Sequence, residues 1–170
     1  MFRKFNDNEL QIWSTTIAEL LTIIPYMRDV VANIIPVYTE NPNSIAGIDK
    51  YWRCIFGDSF FNDLNLSERC GVIAHEVLHV VNNHFARAIQ VHNCITEKDN
   101  IAADLEINTT LSKHMILRLT KDALYPDTFD LPNFQSYEYY YDHLPELKSI
   151  WDIISDILNE EYTDDSSGIN

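Results

Sequence analysis

Apolar residues recur at helical spacing in several stretches of the chain. Leu10, Trp13, Ile17, Leu20, Leu21 and Ile24 follow one another at three- and four-residue steps or side by side. Asn6 and Glu9, just ahead of them, have the spacing of a capping box. This predicts a first helix, ended or kinked by Pro25, which can also open a second helix from Tyr26 to about Ile35, with Pro36 as its stop. From Val37 the texture changes. Asn41-Pro42-Asn43 reads as a turn. Ile45 to Phe61 carries Ile48, Tyr51, Trp52, Cys54, Ile55 and Phe56, broken by Gly47 and Gly57. It reads as strands with a hairpin-like turn near Asp49-Lys50.

The longest helical pattern starts at Ser67 as N-cap, has Glu68 in its first turn, and runs to about Val91. His92-Asn93-Cys94 is a short connection, and Thr96 with Asp99 resembles the cap of another helix, about 97 to 114. Pro126, Pro132 and several Asp make residues 117 to 136 irregular. Ser136 can cap a short helix through Tyr137-Glu138-Tyr139-Tyr140-Tyr141. Pro145 starts the last helix, with Ile150, Trp151, Ile154, Ile157 and Leu158 on one stripe. The chain is expected to form one domain over residues 1–160, and the acidic tail 161–170 is expected to be disordered.

Composition narrows the function. At 170 residues, 46% hydrophobic and 22% charged, the chain has the make-up of a globular domain, which excludes wholesale disorder. Twelve Lys+Arg against 26 Asp+Glu give a formal charge of −14. Such a surface repels phosphate backbones and anionic headgroups, so neither nucleic acid nor membrane is an expected partner. Cys54, Cys70 and Cys94 contain no Cys-x-x-Cys pair and set up no disulfide framework. Cys70 falls on an apolar helix face and reads as core. The N-terminus does not read as a secretory signal, so a cytoplasmic protein is expected.

The chemistry lies in His75-Glu76-Val77-Leu78-His79. Two His four residues apart share a helix face and can reach one zinc ion, with the Glu placed to take a proton from a water beside it. On a helical wheel with His75 at zero, His79 falls at about 40°, Glu76 at about 100°, Asn82 near 340° and Asn83 near 80°. Ile73, Ala74, Val77, Leu78, Val80, Val81 and Phe85 fill the opposite arc. A helix so largely apolar is buried, and its polar strip must line a cleft or hold partners.

A catalytic zinc site wants a third protein ligand, and His84, His92, Asp104, Glu106 and His114 are the candidates. His84 falls near 180° on that wheel, so it joins the other two only if the helix breaks; as it stands it reads as a hydrogen-bonded core His. On the next helix Asp104 sits mid-stripe among Ile101, Leu105, Ile107 and Leu111, while Glu106 points toward solvent. A carboxylate buried there needs a cation or strong donors. The expected ligand set is therefore His75, His79 and Asp104, with Asn108 orienting a ligand. The alternative is a structural Asp104 that caps a neighbouring element or pairs with an Arg such as Arg53.

The run Val72-Ile73-Ala74-His75-Glu76-Val77-Leu78-His79, then Asn83-His84, and later Asn100-Ile101-Ala102-Ala103-Asp104-Leu105-Glu106-Ile107-Asn108, resembles the zincin-like metallopeptidase domain of bacteria and phages. The resemblance spans roughly residues 18 to 145 and includes Ser44-Ile45-Ala46-Gly47-Ile48-Asp49 and the Tyr139-Tyr140 pair. It implies an α+β, mainly helical, minimal zincin-like fold, with a small antiparallel sheet packed on the His-Glu-x-x-His helix. It also implies Asp104 as third ligand and a bacterial or phage-infected cell as the setting. That domain is often fused to a von Willebrand factor A-like domain, for which this chain has no room, so a stand-alone or truncated form is expected.

The function that follows is zinc-dependent hydrolysis of a polypeptide, with Glu76 moving the proton. An oxyanion donor is expected among Tyr139, Tyr140, Tyr141, His114 and His143, Tyr140 first. The substrate is expected to add a strand to a sheet edge near Trp52 to Phe56. The alternatives are a zinc-binding module without activity, serving assembly, and zinc-dependent hydrolysis of a non-peptide substrate.

Overall fold

The structure is a computed structural model that describes residues 2–41, 44–113 and 123–164. Strand β1 (Phe2–Arg3) leads into α1 (Asp7–Ile23). Asn6 caps α1 reciprocally: its Oδ1 accepts from the Glu9 N–H at 2.9 Å, and Glu9 Oε2 accepts from the Asn6 N–H at 2.8 Å. Glu9 also takes both Arg3 guanidinium nitrogens at 2.7 Å, which ties β1 to α1.

The expected second helix is much shorter. A 3-10 turn (Pro25–Met27) passes into α2 (Arg28–Val31), and Ile35 already belongs to β2 (Ile35–Thr39). Pro36 disfavours the helical region for the residue before it, so Ile35 is extended and the strand starts there. Then come β3 (Ala46–Ile48), β4 (Arg53–Phe56) and the short α3 (Asp58–Asn62). The turn at Asp49 is made by Trp52 N–H donating to the Asp49 carbonyl at 2.9 Å, with Trp52 at φ 62°. Of the turn expected at residues 41–43, only Asn41 lies among the described residues.

The sheet order is β1-β2-β4-β3. The outer pairs are antiparallel, but β2 and β4 run parallel, so the sheet is mixed where an antiparallel one was expected. The connection from β2 to β4 is the crossover that a parallel pair requires, and β3 lies within it. Alternation along a strand carries no direction, so this feature had no sequence signal.

Helix α4 (Leu66–Val81) packs against α1, α6 and β3. Its N-cap is Asn65, not Ser67: Asn65 and Glu68 form a second reciprocal box. The helix does not reach Val91. It ends at Asn82, Asn83 adopts the left-handed region at φ 55°, and α5 (His84–His92) starts afresh. Helix α6 (Glu97–Lys113) follows; the described part of the irregular segment holds a 3-10 turn (Pro126–Phe129), then come α7 (Tyr137–His143) and α8 (Leu147–Asp164). On α8 Ile150 is buried and Trp151 exposed, while the side chains of Ile157 and Leu158 lie outside the described residues, as do residues 165–170.

Two apolar clusters hold these elements. One gathers Leu20, Phe56, Phe60, Ile73 and Val77 between α1, α4 and the sheet. The other gathers Ala102, Leu105, Tyr137, Tyr140 and Ile150 around α6, α7 and α8. Helix α6 belongs to both, because Ile107 and Leu111 join the first cluster. The result is a mainly helical α+β fold with α4 and α6 face to face at its centre. Among the described residues no helix is long and apolar enough to cross a membrane.

Candidate metal centre

Where α4 crosses α6, three side chains converge. His75 Nε2 and His79 Nε2 are 3.1 Å apart, and each stands 3.2 Å from Asp104 Oδ1. The triangle follows from local structure. The four-residue step stacks the two imidazoles on one face of α4, and small Ala102 and Ala103 are fully or nearly fully buried on α6 beside Asp104. Tetrahedral ligand atoms about 2.1 Å from a zinc ion stand roughly 3.4 Å from one another, close to these separations.

Asp104 Oδ1 is buried and has no hydrogen-bond partner among the described residues. A buried carboxylate oxygen facing two imidazole nitrogens is what a divalent cation relieves, so the residues present fit a metal ion. Arg53 does not serve Asp104; it pairs with Asp49 at 2.7 Å.

The charges agree with the geometry. Burial pushes the Asp104 carboxyl up, yet the two imidazoles outweigh it and hold the group below the ordinary carboxylate range. Burial pulls the His75 imidazolium down, but the Asp104 carboxylate overrides that and raises it to about 9. Glu76 is buried beside them, and that burial raises its carboxyl despite the neighbouring imidazoles. The Ile48 backbone N–H favours the Glu76 carboxylate and offsets a small part of that rise. Glu76, His75, His79 and Asp104 line a cleft of about 250 Å³ whose other walls are Ala46, Gly47, Ile48, Phe85 and Asn100.

A family described as "Putative metallopeptidase domain" matches residues 42–147. The match takes in β3, β4, α4 and α6, with every side chain just described. The chain belongs to this family. Searches of curated proteins and of solved structures return no match.

In this metallopeptidase-family chain the triangle is backed by further hydrogen-bonded side chains. Asn108 sits one turn beyond Asp104. Its Nδ2 donates to the Leu124 carbonyl at 2.7 Å, which turns Oδ1 toward His75 Nδ1, 2.9 Å away. His75 therefore donates from Nδ1 and presents Nε2 to the centre. This contact with His75 is the one that a ligand-orienting Asn108 would make.

Behind His79 the arrangement differs from expectation. Because α4 breaks at Asn83, His84 swings back, and its Nδ1 lies 3.2 Å from His79 Nδ1. Its other nitrogen, Nε2, donates to Glu106 Oε2 at 3.2 Å. Burial keeps the His84 pKa low. Glu106 is not turned to solvent. Its Oε2 also accepts from the Tyr137 N–H at 2.8 Å and from Arg87 Nη1 at 3.1 Å. Burial raises the Glu106 carboxyl, and those donors more than offset it, so the net shift is down. Arg87 in turn holds Glu138 of α7 at 2.7 Å.

Among the described residues, none of the expected oxyanion donors lines the cleft. Tyr140 is buried in the second cluster, where its hydroxyl donates to the Pro132 carbonyl at 3.0 Å and accepts from the Gln135 N–H at 3.2 Å. It does not line the cleft. Tyr139 stacks on His143 and Tyr141 on His92, so these groups are engaged with one another. His92 lies 3.6 Å from Asp99, away from the triangle, and His114 lies outside the described residues. Cys54 and Cys70 are buried and Cys94 exposed, all as free thiols.

Proposed function

We propose that this chain is a zinc-dependent peptidase whose ion is held by His75, His79 and Asp104 and whose general base is Glu76. The observation that carries the reading is the convergence of the three donor atoms on the same cleft as Glu76, within 4.8 Å of one another. A structural zinc site takes four protein ligands, whereas three ligands beside a carboxylate that ligates nothing suit a site with an open position.

A bound zinc ion supplies Lewis acidity toward a water and toward a peptide carbonyl. The chain's residues do the rest. Glu76 accepts a proton from the water as its oxygen bonds to the carbonyl carbon, and returns it to the amide nitrogen as the C–N bond breaks. Its place in the wall of the same cleft suits both transfers.

The substrate strand meets β3, not the Trp52–Phe56 segment expected from sequence, because β4 is covered on both sides by β2 and β3. Asp49 N–H donates to Arg53 O and Gly57 N–H to Ile45 O, so the odd-numbered residues of this strand face β4. Ala46 and Ile48 then face the open edge, beside the cleft; with the Ile48 N–H turned to Glu76, Ala46 offers the backbone groups with which a peptide can pair.

The test is metal content and cleavage of an unfolded protein by the wild type, Glu76→Gln and Asp104→Ala. We expect Glu76→Gln to keep one zinc per chain and lose about 10²–10⁴-fold in rate. Asp104→Ala should lose both zinc and activity. Full cleavage by Glu76→Gln, or tight stoichiometric zinc in Asp104→Ala, contradicts the assignment.

A further inference from the structure

The relay behind His79 is more than packing. Glu106 Oε2 accepts from three donors, His84 Nε2, Arg87 Nη1 and the Tyr137 N–H, at 3.2, 3.1 and 2.8 Å. An oxygen so surrounded is an acceptor and has no proton to give. His84 Nε2 must therefore carry the hydrogen. A neutral imidazole with its proton on Nε2 has a lone pair on Nδ1. That lone pair faces His79 Nδ1 at 3.2 Å, and two ring nitrogens at that distance bond only if one donates. His79 then donates from Nδ1, and its Nε2 keeps a lone pair that accepts from His75 Nε2, 3.1 Å away, when no ion is bound; Asp104 Oδ1 stands 3.2 Å from both nitrogens. The reverse arrangement would put the His79 proton on Nε2, in the place of the metal ion.

We propose that His84 and Glu106 are positioning residues: together they hold His79 in the tautomer that can ligate, His84 from α5 and Glu106 from two residues beyond Asp104 on α6. The break at Asn83 is what makes this reachable, since an unbroken α4 would carry His84 to the opposite face. Arg87 and the first residue of α7 clamp Glu106, so the relay also couples α7 to the metal centre. This rests on the zinc reading above, but its core statement concerns the metal-free protein.

Two measurements test it. Long-range proton–nitrogen correlation of histidine rings in the metal-free wild type should show His79 protonated at Nδ1 and unprotonated at Nε2. The opposite tautomer overturns the proposal, whether or not the protein binds zinc or cleaves peptides. Zinc affinity is then compared across His84 variants. His84→Leu removes the acceptor and should weaken zinc binding about 10–100-fold. His84→Gln, whose amide oxygen can accept from Nδ1–H, should restore affinity to within about threefold of wild type, a rescue that loss of packing alone does not give. Wild-type affinity in a folded His84→Leu, or equal loss in both variants with the His79 tautomer unchanged, contradicts the assignment. Failure of the wild type to bind zinc defeats the proposed function and leaves the tautomer measurement decisive for the relay.

Discussion

Asp104 shows how one residue ties burial to chemistry. Its Oδ1 has no hydrogen-bond partner among the described residues and stands 3.2 Å from two imidazoles. In the metal-free chain this contact raises His75 to about 9 from an ordinary 6.5. The sign follows: the folded state binds that proton more tightly than the unfolded state, so the contribution is complete below about 6.5 and lost as pH rises through about 9. Denaturant titrations in chelator should therefore find the wild type losing stability between pH 6.5 and 9.5, a loss absent from Asp104→Asn. With zinc present the ion displaces that proton, and affinity should tighten over the same range. An equal loss in the variant removes the assignment. A second residue, Gly57, is fixed by space: a Cβ there would lie 1.8 Å from the Ser44 carbonyl oxygen, which is backbone. Gly57→Ala should cost about 1–3 kcal/mol in urea melts, and no loss would mean the crossover can yield. At this scale the sequence was most informative. The His75, His79 and Asp104 set followed from spacing and from a carboxylate in an apolar stripe. Glu106 was missed because a wheel drawn for one helix cannot register α7 arriving over its outer face.

Elements decide whether those residues can meet. The reading of one helix to about Val91 followed an unbroken apolar pattern, and the pair Asn82-Asn83 was the signal against it, since Asn tolerates the left-handed region. Asn83 at φ 55° allows α5 to restart with His84 beside His79. Asn83→Gly should leave stability and zinc affinity near wild type, whereas β-branched Asn83→Val should cost about 1–2 kcal/mol and weaken zinc binding with it. Thermal melts and metal titration of both variants check this; a tolerated Val means the restart has another cause. The sheet was legible as strands but not as directions. The edge beside the cleft proved to be β3 because the crossover places it outermost, which no local pattern records.

At the scale of the molecule, α6 joins two clusters that share no other long helix among the described residues: Ile107 and Leu111 belong to the cluster around α4, Ala102 and Leu105 to that around α7. A ligand that bridges α4 and α6 should therefore stabilise both halves together. Zinc at a thousand times its Kd adds about 4 kcal/mol. For a chain of this size that corresponds to a rise in melting temperature of roughly 8–16 °C, reversed by chelator. A shift confined to one of two resolved transitions would mean the halves unfold independently. The central claim is that one ion joins two imidazoles of α4 to one carboxylate of α6. The most direct test is anomalous diffraction at the zinc edge from crystals of the zinc-loaded protein. One peak is expected within bonding distance of His75 Nε2, His79 Nε2 and Asp104 Oδ1, with none of those atoms bonded elsewhere. A peak held by other residues, or no peak between α4 and α6, would contradict it.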